Sequence, residues 1–138
     1  METAKLNFVH LCDYASPGEG GKLNVLGIFE NIFSHTNNFI HPQLYIVTNV
    51  SIKKSGNLKQ IIKIVRERDS AEIIKSLEFN ISIQSIPDSK EAKIGFIGQF
   101  NSIKFEEFGN YVVQIFIDSE KLGEVKLSVS QIPQAKIS

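Results

Sequence analysis

A chain of 138 residues with 15 basic and 15 acidic side chains carries no net formal charge, which argues against the basic excess of a nucleic-acid binder. One cysteine, Cys12, excludes an internal disulfide framework and fits a reducing, cytoplasmic setting, and no uncharged apolar stretch of about 18 residues is present to cross a membrane. With 20 Ile and 9 Val against 9 Leu and 5 Ala, the side chains favour pleated surfaces over helices.

The opening residues METAKLNF lack a basic segment leading into a long apolar run, so no secretory leader is expected. Leu6, Phe8, His10, Cys12 and Tyr14 alternate with Asn7, Val9, Leu11 and Asp13, which predicts a strand over residues 5–15 with apolar residues on both faces. Ser16, Pro17, Gly18, Glu19, Gly20 and Gly21 break it with strong turn chemistry, and a second strand follows over 22–29. Gly27 interrupts the apolar face of that strand, the mark of a bulge or a close backbone approach. Residues 31–42, NIFSHTNNFIHP, show no clean period and read as a loop. Pro42 biases His41 toward extended geometry, and a strand is expected from Gln43 to Lys53. Ser55, Gly56 and Asn57 form a hairpin turn into a strand over 58–67.

Arg68, Asp69 and Ser70 read as another turn. Residues 71–77 fit helical and strand spacing equally, whereas Phe79, Ile81 and Ile83 predict a strand over 76–84. Residues 86–91, with Pro87, Asp88 and Ser89, are expected to form a loop before a strand over 92–100. The strongest signal is the hairpin from Gly109 to Val129, where Tyr111, Val113, Ile115 and Ile117 alternate inward and Leu122–Val129 answers them. Burying those four side chains stabilises the fold by roughly 1.5–3 kcal/mol each, so the hairpin belongs in the core.

About eight strands without a convincing helix predict an all-β, single-domain antiparallel β-sandwich, immunoglobulin-like or a related Greek key, over residues 1–130 with a tail over 131–138. The Gly109-Asn110-Tyr111 entry into the penultimate strand suits a tyrosine corner.

Leu11-Cys12-Asp13-Tyr14-Ala15, then Gly20-Gly21-Lys22-Leu23-Asn24-Val25-Leu26-Gly27-Ile28-Phe29 and His41-Pro42, resemble the N-terminal signature of a family of small uncharacterised bacterial proteins. The G-x-Y strand and hairpin at the other end are similar too, while residues 50–100 carry no such likeness. The resemblance implies a bacterial, stand-alone all-β domain and brings no activity with it.

No familiar catalytic or binding pattern is complete in the chain. The glycines before Lys22 do not make a phosphate loop, because Leu23 stands where a Ser or Thr is required and a strand pattern follows instead of a helix. His10 and Cys12 share a strand face about 6.5 Å apart, half of a metal site or a nucleophile with its base, or a buried thiol beside a hydrogen-bonded histidine. A zinc site there requires His35 or His41 to fold back onto the first strand. Asp13, Asp88 and Asp118 are too scattered to predict a calcium site. The stretch best suited to contact is 31–42, where Phe33, His35, Phe39 and His41 are candidate interaction residues, with Phe33 and Phe39 alternatively serving as core plugs. The expectation is a non-enzymatic interaction module without metal or cofactor, acting on a protein partner or a second copy of itself. The alternative is a small-ligand or metal-binding protein built on His10, Cys12 and a loop histidine.

Overall fold

A computed structural model describes residues 3–86 and 90–133. Among them are nine strands: β1 (Ala4–Pro17), β2 (Leu23–Ile28), β3 (Asn31–Ser34), β4 (Phe39–Ile52), β5 (Gly56–Arg66), β6 (Leu77–Ile83), β7 (Ala92–Phe105), β8 (Gly109–Ile117) and β9 (Glu120–Gln131). They form two sheets, β2-β1-β4-β7 and β3-β9-β8-β5-β6. All neighbours are antiparallel except β3 and β9, which run parallel. The adjacencies β1-β4-β7 and β9-β8-β5 are those of strands A-B-E and G-F-C in an immunoglobulin-like Greek-key sandwich.

The core lies between the sheets. Tyr111, Val113, Ile115 and Ile117 of β8 are all buried, as their alternation predicts, and the first three share one cluster with Leu44 and Ile46 of β4 and Phe100 and Ile103 of β7. The Tyr111 hydroxyl donates to the backbone oxygen of Glu107 at 2.7 Å, so the tyrosine corner is present. One polar pair crosses the core: Gln60 of β5 donates through Nε2 to Oγ1 of Thr48 on β4 at 2.9 Å, both side chains being fully buried.

A further apolar cluster covers the outside of the four-stranded sheet. Cys12, Ala15 and Val47 pack there with Leu23, Val25, Tyr45 and Ile97. Leu23 comes within 3.6 Å of the position that a Cβ on Gly95 would occupy, although β2 and β7 are opposite edges of the sheet. The β1-β2 arm therefore curls back across the sheet, which is why β1 is apolar on both faces.

The structure corrects the reading of residues 31–42 as a loop. Asn31–Ser34 is strand β3, with Ile32 buried against the core, and β4 already starts at Phe39. Only residues 35–38 lie between them. The β4-β7 ladder skips Pro42, which has no N–H to donate, and Ser102 opposite it takes φ +53°. Similarly, β7 continues to Phe105 instead of ending near Phe100. Residues 71–76 join neither a helix nor a named strand; an isolated bridge from Glu72 to Val65 and a bond from Ile73 N–H to Ile64 O tie them beside β5. Part of the expected 86–91 loop, residues 87–89, lies outside the described residues, as do 134–138 of the expected tail. The tail's first residue, Gln131, still pairs with Ser34 in β9, and Ile132 N–H donates to Ser34 O.

Candidate functional site

The two sheets do not close along the edge where β1 and β2 of one approach β3 of the other. A cleft of about 330 Å³ opens there, lined by Asp13, Gly27, Ile28 and Phe29 from the β1-β2 arm, Asn31, Ile32 and Phe33 from β3, and His41 from β4. Its construction is local. The β1-β2 register sets Asp13 opposite Gly27, which has φ +69°, and a Cβ on Gly27 would lie 2.4 Å from the Asp13 Oδ2. Glycine is required there by conformation and by the carboxylate resting on its backbone. Phe29 follows β2 and is anchored by its N–H to Leu11 O; its ring lies 6.3 Å from the His41 ring at 60°.

His41 is half-buried, and its Nε2 is enclosed without a hydrogen-bond partner among the described residues. Burial pushes the imidazole below its ordinary pKa, against opposing influences from a backbone hydrogen bond at Gln43 and from the Asp13 carboxylate. The neutral ring is thereby favoured, with one nitrogen free to accept. Among the described residues the lining is apolar apart from Asp13, Asn31 and His41, and includes no Lys or Arg.

The residues singled out in the sequence separate. Phe33 and His41 meet at the cleft, Phe33 being 54% exposed. Phe39 is half-buried and packs tilted against Phe105, ring centres 5.5 Å apart, on the main core, the plug position, while His35 is exposed in the turn after β3. His10 stacks on Phe8 at 5.4 Å. Cys12 is fully buried, and burial pushes its thiol upward, away from the reactive thiolate. Cys12 pairs with Tyr45, four residues from His41 along β4, or about 13 Å at strand rise, so the structure does not gather His10, Cys12 and His41 at one point. Among the described residues no three His, Cys, Asp or Glu side chains form a metal-binding group. Asp88 is outside those residues, and Asp118 caps the β8-β9 turn, accepting from Lys59 N–H at 3.0 Å. Asp13 and Phe29 carry no sequence signal of a cleft; the one usable sign is Gly27 breaking its strand.

A second concavity beside the tyrosine corner is already compensated in charge. Arg66 grips Asp69 with two hydrogen bonds of 3.1 and 2.8 Å, and Arg68 donates to Glu107 at 2.6 Å. The Arg66 bonds, helped by Ala71 N–H, hold the Asp69 carboxyl down at about 2.

Fold and site together define an all-β sandwich with an apolar, partly acidic cleft at its open seam. The chain belongs to a family of unknown function, DUF6941, whose model matches residues 7–130. No curated protein matches it. No helix among the described residues is long and apolar enough to cross a membrane.

Proposed function

We propose that the protein is a non-enzymatic interaction module that binds another protein, or a second copy of itself, through the apolar edge made by β2, the adjoining half of β1 and β3. One observation carries this reading: Tyr14, Leu26, Ile28 and Phe33 are 48%, 63%, 58% and 54% exposed and lie along that edge. Tyr14 opposes Leu26 in the ladder, and Ile28 and Phe33 line the same cleft. Single exposed apolar residues are ordinary, but a row of large ones marks a contact surface. In addition, among the described residues β2 pairs only with β1, which leaves an outer strand edge for a partner strand to extend. Phe33, nominated from sequence, belongs to this surface, whereas Phe39 serves the core. The reading assigns the protein to the cytoplasm, supported by its single buried thiol, and requires no metal or cofactor.

The test compares the native chain with Ile28→Lys, which places a charge on the exposed edge without touching the core. Native mass spectrometry is expected to show multiples of 15.5 kDa, or affinity purification a retained protein, that the variant loses. A monomer that retains no protein which Ile28→Lys releases would overturn the proposal.

A further inference from the structure

We infer that the seam cleft is a binding site for a small organic cation, a protonated amine on a compact apolar body. The inference shares Ile28 and Phe33 with the protein-contact reading and adds to it the Asp13 carboxylate on the lining.

Among the described residues Asp13 is the one charged side chain on the lining, and a carboxylate accepts hydrogen bonds without offering any. Its position is fixed by the backbone of Gly27, which leaves room for Oδ2 only because no Cβ is present. His41 adds wall and no second acceptor, because its Nε2 is enclosed and out of reach of a ligand. A carboxylate with no Lys or Arg beside it among the described residues of the lining suits a ligand that is positive in charge. An ammonium supplies three donors and the matching charge.

The walls set the rest of the ligand. Ile28 and Phe33 present more than half of their surface, and the Phe29 ring tilts beside His41. Aliphatic and aromatic surface favours an apolar body, and ring faces attract a cation. A volume of about 330 Å³ suits a compact molecule. A carboxylate ligand would meet Asp13 head-on, and a neutral hydrocarbon would bring the carboxylate neither a donor nor a charge.

The experiment is a titration of the full chain, followed through its backbone amide resonances, with 2-phenylethylammonium. Its controls share the phenylethyl frame: neutral 2-phenylethanol and anionic 3-phenylpropanoate. The amine is expected to shift Gly27, Ile28, Phe33 and His41 in a saturable way. The alcohol should bind at least ten-fold more weakly and the anion not measurably, and Asp13→Asn should reduce amine affinity at least ten-fold. The inference is overturned by no saturable shift with millimolar amine, by alcohol or anion binding as tightly as the amine, or by unchanged affinity in Asp13→Asn. Should that variant not fold, the three ligands on the native chain still separate binding of the cation from its absence. Loss of the protein complex in Ile28→Lys and loss of amine binding in Asp13→Asn are separate readouts, so either reading can fail alone.

Discussion

Replacing Thr48 with valine removes the acceptor for the Gln60 amide and leaves the packing shape nearly unchanged. In the native chain Gln60 Nε2 donates to Thr48 Oγ1 at 2.9 Å, and Gln60 Oε1 already lacks a partner among the described residues. After Thr48→Val, both polar ends of a fully buried amide are unsatisfied, a cost of about 1–3 kcal/mol. An unfolding entropy of about 2.1 cal/mol/K per residue gives about 0.3 kcal/mol/K for 138 residues, so the Tm should fall by about 3–10 °C. Gln60→Met removes the orphaned oxygen together with the donor and leaves only the Thr48 hydroxyl unpaired, so it should cost less, about 0–1.5 kcal/mol. The double variant leaves no polar atom of the pair and should return to within about 1 kcal/mol of the native chain, or exceed it. Urea denaturation of the four proteins yields the coupling directly. If the double variant loses as much as the two single losses summed, the pair is not coupled and the desolvation argument fails.

Tyr111→Phe keeps the buried ring and deletes only the bond to Glu107 O, so it should cost about 0.5–1.5 kcal/mol, read as a lower urea midpoint with unchanged m-value; no change in the midpoint would mean that the corner bond contributes nothing net. The pH profile carries two signals of the same sign. His41, held below its ordinary value of 6.5, is protonated more readily in the unfolded chain; its contribution is complete above about pH 6.5 and shrinks as pH falls toward the folded value. Asp69, lowered from 3.8 to about 2, contributes stability above its unfolded value that is lost as pH falls through about 2. His41→Gln should flatten the stability profile just below pH 6.5, and Asp69→Asn the acid limb; a His41→Gln profile parallel to the native one would remove the case for a buried neutral imidazole.

Much of the fold was readable because side-chain alternation is local. Tyr111, Val113, Ile115 and Ile117 declared a buried face in seven consecutive residues, and the apolar character of both faces of β1 announced that it would be covered twice. Turn residues likewise set off the β1-β2 connection, because glycine and proline act on their own backbone. Ser55-Gly56-Asn57 makes no hairpin: β5 begins at Gly56 and crosses to the sheet opposite β4, with Gly56 and Asn57 already paired to Ile83 and Ser82 of β6. The failures share a cause. β3 is four residues long with one buried side chain, Ile32, and it is a strand because β9 runs alongside it in parallel, a partner nearly a hundred residues away in the chain. Residues 71–76 were ambiguous for the same reason, since their geometry follows from bonds to β5 and not from a period of their own.

The candidate site divides along the same line. The sequence by itself determined the β-sandwich class, the buried hairpin and the special backbone at Gly27, each encoded in residues near one another in the chain. Only the tertiary structure decided that Phe33 faces outward while Phe39 packs on Phe105, and that Asp13 and His41 line one cleft while Cys12 is sealed in a separate cluster. Those outcomes depend on how the β1-β2 arm curls and where the two sheets part. Both are set by packing between distant strands, and that packing energy has no local signature in the chain.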